Sequence, residues 1–110
     1  MATERRRLVR ESTFQNQIIR KLKKLPNCWY VKVWGGGFQR AGIPDLLVCY
    51  KGYFIGIELK NEVGTATEIQ KYNITSIQNA GGYAIILRPQ NEQLLWDVIS
   101  EINKRTTKNS

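Results

Sequence analysis

The sequence predicts an α/β fold: one mixed β-sheet flanked by helices, in the order α-β-β-β-α-β-α. Three observations carry this. Apolar residues recur at helical spacing in three separate stretches. Short apolar or alternating runs, bounded by Gly, Pro and Asn, lie between them as strands. Lys51-Gly52 joins two of these runs as a plausible tight turn, which pairs them antiparallel. The strand–helix–strand stretch 53–88 then forms a crossover, with 83–88 parallel to 53–60.

Taken in order, residues 1–10 (MATERRRLVR) hold Arg5, Arg6, Arg7 and Arg10 with no apolar stripe, and read as a basic, partly disordered arm. Residues 12–25 read as a helix. Phe14, Ile18, Leu22 and Leu25 form its buried face, and Ser12 with Gln15 resembles a capping box. Its opposite face carries Arg20, Lys21, Lys23 and Lys24, and Pro26-Asn27 ends it. Residues 28–34 (CWYVKVW) alternate as a strand, with Lys32 turned away from Val31 and Val33. GGGFQRAG forms a loop with Gln39 and Arg40 at its tip and Gly42 in a turn before the next strand. Strands follow at 43–50 and 53–60. Thr65-x-x-Glu68 reads as a second capping box, opening a helix over 67–80 that Gly81-Gly82 ends. Residues 83–88 form the last strand, broken by Pro89. Leu94, Leu95, Val98, Ile99 and Ile102 make the stripe of a final helix, and 104–110 read as a basic tail. No internal repeat or boundary divides the 110 residues, which suit one small domain over 11–103.

Composition narrows the chemistry. Seventeen Lys and Arg against nine Asp and Glu leave +8, which attracts polyanions, nucleic acid first among them. A basic surface without a specific partner is the plainer alternative. There is no histidine, which excludes Ser-His-Asp and Cys-His catalysis and every zinc site that uses His. Two cysteines, Cys28 and Cys49, cannot make a four-Cys zinc site. With no leader-like or membrane-length apolar run, an intracellular, reducing setting with free thiols is expected. Hydrolytic chemistry in this chain must rest on carboxylates, Lys and a hard cation.

The candidate site lies in GIPDLLVCYKGYFIGIELK, 42–60. Pairing 43–50 with 53–60 around Lys51-Gly52 places Tyr50 opposite Tyr53, so paired positions sum to 103. Asp45 and Glu58 are then direct cross-strand partners, with Cβ atoms about 5 Å apart. Lys60, two residues past Glu58, shares their face. The reverse face is apolar: Leu46, Val48 and Tyr50 against Tyr53, Ile55, Ile57 and Leu59. Two like charges opposed in a half-buried hairpin are costly. A proton on one of them, compensation by Lys60 as a structural salt bridge, or a bound cation each relieves it. The triple on one face, in a basic chain without histidine, favours Mg²⁺ or Mn²⁺ held by Asp45 and Glu58, with the Leu59 carbonyl as a further ligand. Such an ion, with Lys60 to steady the transition state, suffices for phosphodiester hydrolysis.

Pro44-Asp45 followed by Glu58-x-Lys60 resembles the PD-(D/E)xK nuclease signature. The wider layout, ESTFQNQIIRKLKKL, GGGFQRAGIPDLLV and IELKNEVGTATEIQKYNITSIQNAGGYAIIL, resembles the virus-type replication-repair nuclease (VRR-NUC) domain over residues 11–103. The resemblance implies a restriction-endonuclease-like fold and metal-dependent DNA cleavage. It makes Asp45 and Glu58 metal ligands, Lys60 the catalytic lysine and Glu11 an acidic residue aimed at the metal from the first helix. Gln70 would face the site or the DNA, and Gln15 matches a helix-one glutamine. Glu11 as a dipole-favoured surface residue, and Gln70 as an exposed helix residue, are the plainer readings. Stand-alone members, often viral, resemble Holliday-junction resolvases in acting as dimers; if virus-encoded, the chain would work in the cytoplasm of a bacterial host. Trp34 or Phe38 would serve such an interface or cap the core.

The expected function is therefore an Mg²⁺/Mn²⁺-dependent, structure-selective DNA endonuclease. Phosphate contacts would come from Arg5, Arg6, Arg7, Arg10, Arg20, Lys24, Lys32, Gln39 and Arg40, giving salt-sensitive affinity. The alternative is a module of the same fold that binds nucleic acid without cutting it.

Overall fold

The structure is a computed structural model that describes residues 8–34 and 41–108. It is an α/β fold with a four-stranded mixed sheet. Its elements are α1 (Glu11–Lys23), β1 (Cys28–Lys32), β2 (Leu46–Tyr50), β3 (Tyr53–Leu59), α2 (Glu68–Asn79), β4 (Tyr83–Leu87) and α3 (Gln93–Lys108), with a short 3₁₀ turn at Pro89–Asn91. The strands lie in the order β1-β2-β3-β4. β1 and β2, and β2 and β3, pair antiparallel; β3 and β4 pair parallel.

The sheet has two unlike faces because its strands alternate. On one, Leu46, Val48, Ile55, Ile57, Leu59 and Leu87 meet Phe14, Ile18 and Leu22 of α1 and Leu95, Ile99 and Ile102 of α3. These side chains are almost fully buried, and each apolar one contributes on the order of 1.5–3 kcal/mol of burial. On the other face, α2 packs against β3 and β4. The approach is close because Gly56 and Gly82 carry no Cβ: one built there would stand 3.1 and 3.0 Å from Ile77. α2 covers only that half, so among the described residues no helix covers the β1–β2 half of that face.

Several boundaries differ from the sequence expectation. β2 begins at Leu46 rather than residue 43, since Pro44 has no amide to give a ladder. β1 ends at Lys32, although the Val33 amide still donates to the Asp45 carbonyl at 2.8 Å. α1 begins at Glu11, with Arg10 as N-cap and no side-chain cap, so the Ser12 capping box does not form. The α2 cap is Thr67, not Thr65. α3 continues to Lys108 through the stretch read as a tail. Tyr50 donates to Asn103 Oδ1 at 2.8 Å, which ties that end of the helix to the sheet, and Arg105 pairs with Glu101 at 3.0 Å one turn away. Cys28 and Cys49 are free thiols. Among the described residues, no helix is long and apolar enough to cross a membrane.

Candidate active site

The β2–β3 hairpin sets the geometry. Its turn has Lys51 at φ 50° and Gly52 at φ 88°, both positive as a two-residue I′ turn requires. The register then runs Tyr50–Tyr53 through Leu46–Ile57 without a bulge. One step beyond the last pair, Asp45 comes level with Glu58. Asp45 does not hang free: its Oδ2 accepts the Leu59 amide at 2.8 Å. An extended residue turns its N–H and C=O to the same side, so the Leu59 carbonyl is directed along the same edge of β3.

Glu58 is 2% exposed. Its Oε2 faces the Lys60 ammonium at 3.6 Å and accepts from Gln70 Nε2 at 3.0 Å. Its Oε1 is buried and receives no hydrogen bond, so an ionised Glu58 leaves it unsatisfied, whereas a protonated Glu58 shares its hydrogen with Asp45. Burial, and then the negative charge of Asp45, push the Glu58 carboxyl up to about 8, against the pull of Lys60.

Gln70 is placed by its helix cap. Thr67 Oγ1 accepts the Gln70 amide at 3.2 Å, and the Gln70 side-chain oxygen accepts the Thr67 amide at 2.8 Å. With its oxygen engaged, the Gln70 carboxamide presents its NH₂ to Glu58, so the cap fixes which end faces the carboxylate. Thr67→Ala removes one leg of this cap. It should lower stability by about 1 kcal/mol, measured by urea unfolding, and loosen the Gln70–Glu58 contact.

Loops on both sides of the pair are pinned. Asn73, 5% exposed, donates to the Ala41 carbonyl at 3.1 Å and holds the chain just before Asp45. Arg88 donates to the Gly64 carbonyl at 2.7 Å, and a Cβ at Gly64 would meet the Lys60 stem at 3.3 Å. Loop 61–67 thus backs Lys60. Sequence reasoning missed both Asn73 and Arg88. The i, i+3 spacing of Gln70 and Asn73 was the available signal, since it puts two amides on one side of α2.

Asp45, Glu58, Lys60, the Leu59 backbone and Gln70 therefore meet at one end of the hairpin. Glu11 does not join them. It is exposed at the first position of α1, where a carboxylate suits the helix dipole, and among the described residues no three His, Cys, Asp or Glu side chains gather as a metal site. Gln15 is buried on α1 at 9% exposure. Arg10, Arg20 and Lys24 are exposed, Arg20 on the helix packed across the sheet from α2 and Lys24 at that helix's C-cap. Lys32 is half-buried, with its ammonium 4.0 Å over the Trp34 ring. Arg5, Arg6, Arg7, Phe38, Gln39 and Arg40 lie outside the described residues.

Compared with protein-family models, curated proteins and solved structures, the chain gives no match. Two adjacent carboxylates, one with a buried oxygen lacking any partner, fit a hard divalent ion whose other positions fall to a backbone carbonyl and water.

Proposed function

We propose that this chain is a divalent-metal-dependent, structure-selective DNA endonuclease, built on a restriction-endonuclease-like fold and acting as a pair of copies on branched DNA such as a Holliday junction. The observation that carries the proposal is the buried, unpartnered Glu58 Oε1 beside Asp45, with Lys60 3.6 Å from the other Glu58 oxygen. A folded chain tolerates two ionised carboxylates in this arrangement poorly: without metal a proton on Glu58 relieves them, and a cation would take that proton's place.

Asp45, Glu58 and the Leu59 carbonyl would hold Mg²⁺ or Mn²⁺. When bound, the ion supplies Lewis acidity that lowers the pKa of water and offsets charge on phosphoryl oxygens. The protein's own groups do the rest. The Leu59 amide fixes Asp45, and Gln70 fixes the plane of the Glu58 carboxylate. Lys60, with its stem backed by loop 61–67, directs an ammonium at the same place, where it stabilises negative charge as the phosphodiester is attacked. The +8 net charge supplies sequence-independent attraction to the DNA backbone.

The test is a labelled four-way junction and a linear duplex, each incubated with Mg²⁺, Mn²⁺ or chelator. Wild-type protein should cut only with metal and cut the junction faster. Asp45→Asn should cut at least ~100-fold more slowly while binding DNA normally. Cleavage by Asp45→Asn at the wild-type rate would remove these residues from the chemistry. Binding without cutting by both proteins, in every metal, would favour a non-catalytic nucleic-acid-binding module.

A further inference from the structure

We propose that β1 is the interface between two copies of this chain, pairing antiparallel with the β1 of its partner about a twofold axis through Tyr30. β1 is an edge strand. Val33 donates to Asp45 and Lys51 donates to Asn27, so the odd-numbered residues of β1 carry its ladder with β2. Cys28, Tyr30 and Lys32 therefore turn their backbone amides and carbonyls to the outer edge, where no described residue pairs with them.

The side chains beside that edge are apolar. Trp29 is 64% exposed, Val31 38% and Phe54 40%, and across β2 they adjoin Leu47 and the exposed Cys49. They lie on the half of the sheet that α2 leaves open. No charged side chain stands among these five residues, in a chain with seventeen Lys and Arg. Nucleic acid does not suit such a surface, and neither does an acidic protein. A natural sheet guards an exposed edge with a charge, a proline or a bulge. Here the one charge on β1, Lys32, is folded back over Trp34.

A second copy suits the edge because the strand is self-complementary. Pairing that overlaps all five residues sets Tyr30 opposite Tyr30, Trp29 opposite Val31 and Cys28 opposite Lys32. Each Trp–Val pair is the aromatic with β-branched contact that stabilises sheets. The two lysines fall at opposite ends of the interface instead of facing each other. A twofold axis through such a pair stands perpendicular to the sheet, so both Asp45–Glu58 sites open on one face and run in opposite directions. That is the arrangement needed to cut two strands of opposite polarity. This consequence rests on the nuclease proposal, whereas the interface does not.

The test uses the full chain without DNA or metal. Sedimentation equilibrium should give twice the 12.7 kDa protomer mass at micromolar concentration. Amide exchange should slow with rising concentration at Tyr30 and Lys32, but not at Trp29 or Val31, which β2 already protects. The double variant Trp29→Lys, Val31→Lys puts like charges opposite each other and should weaken dimerisation at least ~10-fold. Leu94→Lys, on α3, should leave it unchanged. A protein that stays monomeric, or a dimer unaffected by the double variant and without added protection at Tyr30 and Lys32, would overturn the proposal. Loss of dimerisation with DNA cleavage intact would leave the interface standing and show that one copy suffices for cutting.

Discussion

Glu58→Gln should abolish metal-dependent cleavage and, without metal, raise the melting temperature, by far more at pH 8 than at pH 5. Both effects have one source. The Glu58 carboxyl titrates near 8 in the fold, against an ordinary value of 4.5, because burial and the Asp45 charge disfavour its ionised form. The folded state therefore holds a proton that the unfolded chain has lost throughout that interval. The stability this proton provides is complete below pH 4.5 and is lost as pH rises through 8. A glutamine keeps the acceptor for Gln70 and offers Asp45 an NH₂ in place of a like charge. At pH 5 it merely replaces a neutral acid, with little gain. At pH 8 it removes a penalty on the order of a few kcal/mol. Circular-dichroism melts in chelator, at pH 5 and pH 8, check the sign. Equal effects at both values would mean that Glu58 is already ionised and satisfied in the metal-free protein.

Gly42→Ala should cost about 3 kcal/mol or more and lower the melting temperature by roughly 12 °C or more. Gly42 has φ +77°, a conformation in which any Cβ is strained. That Cβ would also stand 2.8 Å from Asn73 Nδ2 and 2.9 Å from both Cγ1 and the carbonyl oxygen of Ile69. The neighbours cannot simply yield, since Asn73 is committed to the Ala41 carbonyl and the Ile69 oxygen is helix backbone. Relief must come from the chain at 41–44, which sets where Asp45 begins. Cleavage at a temperature where the variant is still folded should therefore fall as well. A variant with wild-type stability would show that this turn is pliable and does not position Asp45.

The hairpin was the most legible part of the site. A two-residue turn leaves one register, and that register alone brings Asp45 to Glu58. Glu58 stood out because a carboxylate in an otherwise apolar strand needs a reason. The α2 cap was harder to read: TATEIQ offers Thr65 with Glu68 and Thr67 with Gln70 at the same capping spacing. What separates them is the reach of Gln70 to Glu58, a contact twelve residues back along the chain and invisible to any local pattern. Asn73 and Gly42 were hidden for the same reason, since each is explained by the other across 31 positions of sequence. Glu11 was open to two readings, a metal ligand or a dipole-favoured surface carboxylate, and its place in the structure suits the second. The chain starts α1 without a side-chain cap, which leaves that carboxylate at the exposed first turn.

In the proposed function, Asp45 and Glu58 together hold a divalent cation. Titration with Mn²⁺ at pH 7.5, following the free-ion electron paramagnetic resonance signal and the proton released, tests it most directly. The expected result is saturable binding accompanied by release of most of one proton, since Glu58 is more than half protonated at that pH before the ion arrives, with binding lost in both Asp45→Asn and Glu58→Gln. Mn²⁺ that stays free to millimolar concentration, or binds both variants as it binds the wild type, would mean that these two carboxylates hold no cation.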